Sequence, residues 1–101
     1  MLAKFSIIPL DQGKHLSKQI SEILKIVDQS GLGYQLTSMG TIVEGSWQEV
    51  MGLIEKCHQQ ALTFSERVYT TIAIDDFAGR TSRLKGKVES VEKALGKELK
   101  K

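Results

Sequence analysis

Apolar and polar positions along the first ten residues fall on two parities, Phe5, Ile7 and Pro9 on one and Lys4, Ser6, Ile8 and Leu10 on the other. Both parities are partly apolar, which predicts a strand over Met1–Leu10 that is covered on both faces. Pro9, lacking a ladder N–H, ends this strand or lies at its edge. After a turn at Asp11-Gln-Gly13 the period becomes helical. Leu16, Ile20, Ile23, Leu24 and Val27 make one apolar stripe of a helix over about Lys14–Ser30, with Lys18, Glu22 and Lys25 toward water. Gly31, followed by Gly33, is its stop.

Two short β-prone segments come next, Leu32–Thr37 and Thr41–Gly45, separated by Ser38-Met39-Gly40, where Gly40 supplies the backbone freedom of a hairpin turn. The second of them runs straight into a helix start. Ser46 and Glu49 have the spacing of a capping box, and Trp47, Val50, Met51, Ile54, Cys57, Ala61 and Leu62 follow at helical intervals over Trp47–Leu62. Arg67–Asp75 is rich in β-branched and aromatic residues and predicts a fourth strand. A loop over Asp76–Ser82 precedes Leu84, Val88, Val91, Leu95 and Leu99, the narrow seam of a third helix. Lys97, Lys100 and Lys101 suit the end of such a helix. The order strand, helix, strand, strand, helix, strand, helix predicts an α+β fold, a ferredoxin-like split βαβ sandwich (βαββαβ) with an additional C-terminal helix. Both main helices then lie on one sheet face. The other face is left bare, and self-association through the sheet and the third helix is the expected remedy.

Composition narrows the function. The 101 residues fit a single domain over 1–101, and 14 Lys and Arg against 12 Asp and Glu leave a formal net charge of only +2. That balance, with no strip of basic and aromatic residues for stacking bases, gives no reason to expect a nucleic-acid partner. One cysteine, Cys57, excludes an internal disulfide and fits a reducing compartment. No apolar run is long enough for a signal sequence or a membrane span, so the expectation is a complete, cytoplasmic chain with no membrane partner.

Chemistry is sparse. Cys57-His58 projects two neighbouring side chains about 100° apart on a helix, and His15 lies elsewhere, so neither a metal centre nor a Cys-His nucleophilic pair is expected. Gly31-x-Gly33 lacks the rest of a phosphate loop, which favours unphosphorylated ligands. Glu44 has two readings. It is a solvent-facing carboxylate at a strand edge, or it accepts from the amino group and ring N–H of a small heterocycle, with Ser6, Ser38, Thr41 and Thr71 adding weaker hydrogen bonds. Tyr34, Met39 and Trp47 are candidate apolar walls, and Tyr34 and Trp47 read equally as sheet packing and core. No base, nucleophile and orienting group stand out, which ranks an enzyme last.

Ser6-Ile-Ile-Pro-Leu10, Ser30-Gly-Leu-Gly-Tyr34, Met39-Gly-Thr-Ile-Val-Glu-Gly45, Arg67-Val with Ile72-Ala-Ile-Asp75, and Lys87-Val-Glu-Ser-Val91 together resemble the small thiamine-binding protein family, formerly a domain of unknown function. The resemblance spans almost the whole chain, and Met-Gly-Thr-x-x-Glu-Gly leading into a helix is its most specific part. It implies a ferredoxin-like domain that forms a homodimer through its sheet and a homotetramer from two such dimers. It also implies non-catalytic binding of thiamine or its hydroxymethylpyrimidine moiety in a pocket near a subunit interface, with no cofactor required. Carried over by motif, Glu44 and Thr41 fall in the most characteristic segment, with Ser6, Met39 and Tyr34 at strand or turn positions near it. The chain departs from the family pattern at Asp11-Gln-Gly-Lys-His15, at the expected pocket rim, and at Asp75-Asp-Phe-Ala-Gly-Arg80. The competing expectation is a structural or regulatory homo-oligomeric protein-interaction domain without a small-molecule ligand.

Overall fold

The computed structural model describes residues 1–11, 17–79 and 83–96. The expected turn at Gln12-Gly13, the helix start at Lys14, His15, Leu16, Arg80, Leu99 and the three terminal lysines lie outside the described residues. In chain order the elements are β1 (Leu2–Pro9), α1 (Ser17–Gln29), β2 (Gly33–Thr37), β3 (Gly40–Glu44), α2 (Trp47–Leu62), β4 (Val68–Asp75) and α3 (Arg83–Leu95). The sheet order is β2-β3-β1-β4 with every neighbouring pair antiparallel, as the split βαβ reading requires.

Register separates the two faces. Ala3 pairs with Val43 and Phe5 with Thr41, and all four are buried beneath α1 and α2. The alternate positions Leu2, Lys4, Ser6 and Ile8 lie on the outer face, beside Ile42 and Glu44 of β3 and Tyr69, Thr71 and Ala73 of β4. The core joins Ala3, Phe5 and Val43 to Ile23 and Val27 of α1 and to Val50, Leu53, Ile54, Cys57 and Ala61 of α2. The helical stripe read from the sequence thus gains Leu53, while Trp47 and Leu62 at its two ends are exposed rather than core. α2 lies directly on β1 and β4, whereas α1 packs chiefly against α2.

The expected punctuation is present. Gly31 takes φ +79° just beyond α1, and Ser30 Oγ closes the helix on the Val27 carbonyl at 2.6 Å. Ser46 Oγ accepts from the Glu49 N–H at 3.1 Å while the Ser46 N–H donates to Glu49 Oε1 at 2.9 Å, a complete capping box. At the end of β1, Asp11 takes hydrogen bonds from the Ser65 hydroxyl and from the Glu66 N–H, which ties this corner to the connection between α2 and β4.

The outer face is not wholly bare. α3 packs on β2 and β3, and Leu84 reaches to 3.7 Å from where a Cβ on Gly33 would stand. Gly33 pairs with Glu44 on the outer side, so the chain covers that end of the face itself. Farther along α3 the apolar seam is in solvent, at Val91 and Leu95. Gly96, at φ +71°, ends the helix by donating to the Glu92 carbonyl.

Two measurements probe this framework. Ser46→Ala removes one half of the capping box and is expected to cost about 1 kcal/mol in a urea titration. Its pH dependence has a definite sign. Hydrogen bonds from Ser46, the backbone one first, hold the Glu49 carboxyl below its ordinary pKa, so this stabilisation is present above the unfolded pKa and is lost as pH falls through the folded one. The Ser46 N–H survives in Ser46→Ala, so the pH-dependent part is read on Glu49→Gln, and a wild-type and Glu49→Gln difference that stays constant on acidification would contradict the box. Cys57 is fully buried, and desolvation pushes its thiol up to about 11. It should resist an aromatic disulfide reagent at pH 8 in the native protein and react at once in urea. Native labelling at the unfolded rate would place the thiol outside the core.

Candidate functional site

β4 pairs with β1 along the whole of Leu2–Pro9, but β3 pairs with it only from Leu2 to Phe5. Beyond Phe5 the inner edge of β1 has no ladder partner on that side among the described residues. The turn of the β2–β3 hairpin stands there instead, and the Ser6 hydroxyl donates to the Met39 carbonyl at 3.1 Å. Thr37 Oγ1 stiffens the turn by donating to the Gly40 carbonyl at 2.7 Å and accepting from the Met39 N–H at 3.2 Å. Gly40 is required at this point. It has φ +146°, and a Cβ on it would stand 2.9 Å from both the Phe5 carbonyl oxygen and Ser6 Oγ.

A cleft of about 610 Å³ opens at this gap. Ile20, Ile23, Leu24 and Val27 of α1 roof it, and Phe5, Ile7, Leu36 and Thr41 form the sheet side. It exists because α1 leans on α2 rather than on the sheet, leaving Leu36 of β2 58 % exposed although it faces the helices. Through the gap beside β1 the cleft also reaches outer-face residues, namely Lys4, Ser6, Ile8 and Thr71. Met39, 77 % exposed, and Ser38 form the lip.

Of the residues singled out in the sequence, Ser6, Ser38, Met39, Thr41 and Thr71 therefore meet around one cavity. Three others lie apart from it. Glu44 is at the opposite end of β3, four residues or roughly 13 Å from Gly40 along an extended strand, half-buried on the outer face. Tyr34 faces the helices, and its hydroxyl donates to Asp28 of α1 at 2.6 Å, a hydrogen bond that raises its pKa. Trp47 stands at the first turn of α2, half in solvent. The sequence reading had no place for Lys4 or Leu36 in the site. Lys4 shares its strand parity with Ser6, which was the available signal.

The hydroxyls around the cleft are not equivalent. The Ser6 proton is committed to the Met39 carbonyl, so toward a ligand this oxygen offers lone pairs. Thr41, 6 % exposed at the base, is a hydroxyl among apolar walls and can either donate or accept. Among the described residues no three His, Cys, Asp or Glu side chains group to hold a metal, and no helix is long and apolar enough to cross a membrane. His58, beside Cys57, is instead paired with Thr70 Oγ1 at 2.7 Å.

Comparison with known proteins agrees with this architecture. A UPF0045 protein of Mycobacterium tuberculosis is 32 % identical over 96 residues, covering 94 % of each chain. A UPF0045 protein of Staphylococcus xylosus is 36 % identical over 97 residues, covering 88 % of this chain and 89 % of the other. The crystal structure of a hypothetical protein of Methanocaldococcus jannaschii superposes with a TM-score of 0.81 at 26 % identity, over 89 % of this chain and 93 % of that one. A Thermotoga maritima protein provisionally assigned to thiamine biosynthesis or salvage shares the fold, with a TM-score of 0.78 at 21 % identity over 89 % and 96 % of the two chains. The sequence pattern of the thiamine-binding protein family matches residues 3–92, from the second residue of β1 well into α3, and the chain belongs to that family.

Proposed function

We propose that this protein binds thiamine, or its hydroxymethylpyrimidine half, in the cleft at the turn end of the β2–β3 hairpin, and that it holds the ligand without transforming it. The observation that carries this reading is the cleft itself, which brings Met39 and Thr41 of the family's most specific segment together with Ser6. Its volume of about 610 Å³ lies within the range of about 300–1,000 Å³ typical of small-ligand sites. A flat ring lies beneath Ile20 and Leu24 of α1, against Ile7 and Leu36 of the sheet side, with Met39 at the edge. Ser6 accepts from the amino group of the pyrimidine, and Thr41 donates to a ring nitrogen. The acceptor that the sequence reading looked for in Glu44 is in this arrangement the Ser6 oxygen. No cofactor takes part. The buried free thiol of Cys57 supports a reducing, cytoplasmic setting.

Self-association is part of the same proposal. β4 is an edge strand of eight residues, without proline and uncharged from Val68 to Ile74, and its side chains Tyr69, Ile72 and Ile74 are exposed beside Phe77. Such an edge is an open template for another strand, and a homodimer joined through the sheet closes it. The exposed end of the α3 seam, Val91 and Leu95, is then available to join two dimers as a homotetramer.

Calorimetric titration with thiamine and with hydroxymethylpyrimidine tests the site. Ser6→Ala should weaken binding by roughly fivefold, the effect of about 1 kcal/mol for one hydrogen bond, and Thr41→Val should do the same. Glu44→Ala should leave the affinity within twofold of wild type. Loss of binding in Glu44→Ala with Ser6→Ala unaffected would move the site to the other end of β3. No heat from either ligand at two temperatures would favour the protein-interaction reading.

The assembly is tested separately by light scattering during gel filtration. Ile74→Lys places a charge on a side chain that is 40 % exposed in the monomer, so the fold should tolerate it while the sheet-mediated dimer is lost. A variant that keeps the wild-type mass would exclude the β4 edge as the contact.

A further inference from the structure

Sulfur occurs in this chain in three methionines and one cysteine, and the fold treats them differently. Cys57 is fully buried, and with its thiol pushed up to about 11 it offers no thiolate at neutral pH. Met1 and Met51 are partly buried and pack against the core. Met39 is the exception, 77 % exposed at the lip of the cleft. Its main chain is nevertheless held on both sides, the N–H donating to Thr37 Oγ1 at 3.2 Å and the carbonyl accepting from the Ser6 hydroxyl at 3.1 Å. Neither bond uses the thioether. The turn thus holds the Met39 backbone at a fixed point and presents its sulfur to solvent. β4, the edge assigned above to the homodimer, lies at the opposite side of the sheet from β2, so strand pairing there does not use this hairpin.

A solvent-facing thioether is the sulfur that a hydroperoxide meets first. The Met39 Sδ lone pair attacks one oxygen of hydrogen peroxide, and an S–O bond forms as the O–O bond breaks. The departing hydroxide takes the proton of the transferred hydroxyl and leaves as water, so sulfur loses two electrons and the peroxide gains them. The sulfoxide is polar and chiral where the thioether was apolar and pliable. Its neighbours around the cleft include Ile7, Ile20, Leu24 and Leu36. A ring seated among them strips water from the sulfoxide oxygen, and Ser6, the hydroxyl bonded to this residue, has its proton committed to the Met39 carbonyl. The turn itself keeps every hydrogen bond it had.

Resting on the binding role proposed above, we infer that Met39 is an oxidation site, and that its conversion to the sulfoxide by a hydroperoxide switches the cleft to a weakly binding form while leaving the fold intact. Methionine sulfoxide reductases supplied with a dithiol reverse the step, the oxygen leaving as water and the dithiol becoming a disulfide.

The test treats the native protein with dilute hydrogen peroxide, removes the peroxide, and follows each sample by peptide mass mapping, urea titration, and calorimetry with thiamine and hydroxymethylpyrimidine. Met39 should gain one oxygen before Met1 and Met51 do. Oxidation confined to Met39 should weaken ligand binding by roughly tenfold, the effect of desolvating one strong dipole at an apolar contact, and leave the urea midpoint in place. Met39→Gln should bind weakly without any peroxide. Met39→Leu, whatever its starting affinity, should keep that affinity through the same treatment. Reductase with dithiothreitol should restore the oxidised wild type. Oxidation of Met1 or Met51 ahead of Met39, or an unchanged affinity with Met39 fully oxidised, would overturn the switch while leaving the binding role intact. An equal loss in peroxide-treated Met39→Leu, or a loss that tracks a fall in the urea midpoint, would do the same. Absence of binding of either ligand by the untreated protein would overturn the binding role and the switch with it.

Discussion

The site depends on a mismatch in strand length. β1 has eight residues and its inner neighbour β3 has five, so the ladder between them stops at Phe5. An unpaired stretch of backbone inside a sheet has to find other partners. Here the hairpin turn supplies one, through the hydrogen bond from Ser6 to the Met39 carbonyl, and closes up so tightly that only glycine fits at residue 40. The contact is both closure and opening. It fixes the turn to β1 at one point and leaves the remainder of that edge as the passage between the two faces of the sheet.

The helices enlarge this opening. α2 is anchored at its start by the capping box and lies flat on β1 and β4, which fills the middle of the sheet with Val50, Leu53, Ile54 and Cys57. α1 completes the core by packing on α2, so its stripe reaches the sheet through Ile23 and Val27 while Ile20 and Leu24 hang over the hairpin. A second helix seated as closely as α2 would have buried Leu36 and erased the cleft. The cavity is thus the region where one helix layer is anchored by its partner and not by the sheet.

The fold was legible because its signals are local and agree with one another. The parity of Phe5 and Ile7, the stripe ending at Val27 and the Ser46 to Glu49 spacing each specify one element, and short connections leave one way to assemble them. The site was legible in part. The turn residues Ser38, Met39 and Gly40 and their neighbour Thr41 identify a special hairpin from sequence alone. What the sequence could not supply was which end of β3 faces a cavity, since Thr41 and Glu44 are both polar residues on one short strand. That is decided by where the ladder with β1 ends and by how α1 leans, both of which are tertiary. The same limit applies to Lys4, whose place at the mouth of the cleft depends on the hairpin stopping one residue away, and to Trp47, whose helical spacing resembles core although it precedes the buried stretch of α2.

The run from Met39 to Gly45 accordingly has two kinds of work divided between its ends. Met39, Gly40 and Thr41 shape the cleft. At the far end, a Cβ on Gly45 would stand 3.3 Å from Leu32 and 3.4 Å from both Glu49 Oε1 and Val50, so the absence of a side chain there lets the strand pass directly into the capping box of α2. Glu44 sits between Val43 of the core and this tight junction, at the end of the sheet that α3 packs over. The Met-Gly-Thr half of the segment lines the cleft, and the Glu-Gly half specifies the angle at which α2 leaves the sheet. The two are coupled by geometry alone. α2 sets the position of α1, and α1 sets the width of the cleft, so a change at Gly45 acts on the cleft from the opposite end of the strand without touching it.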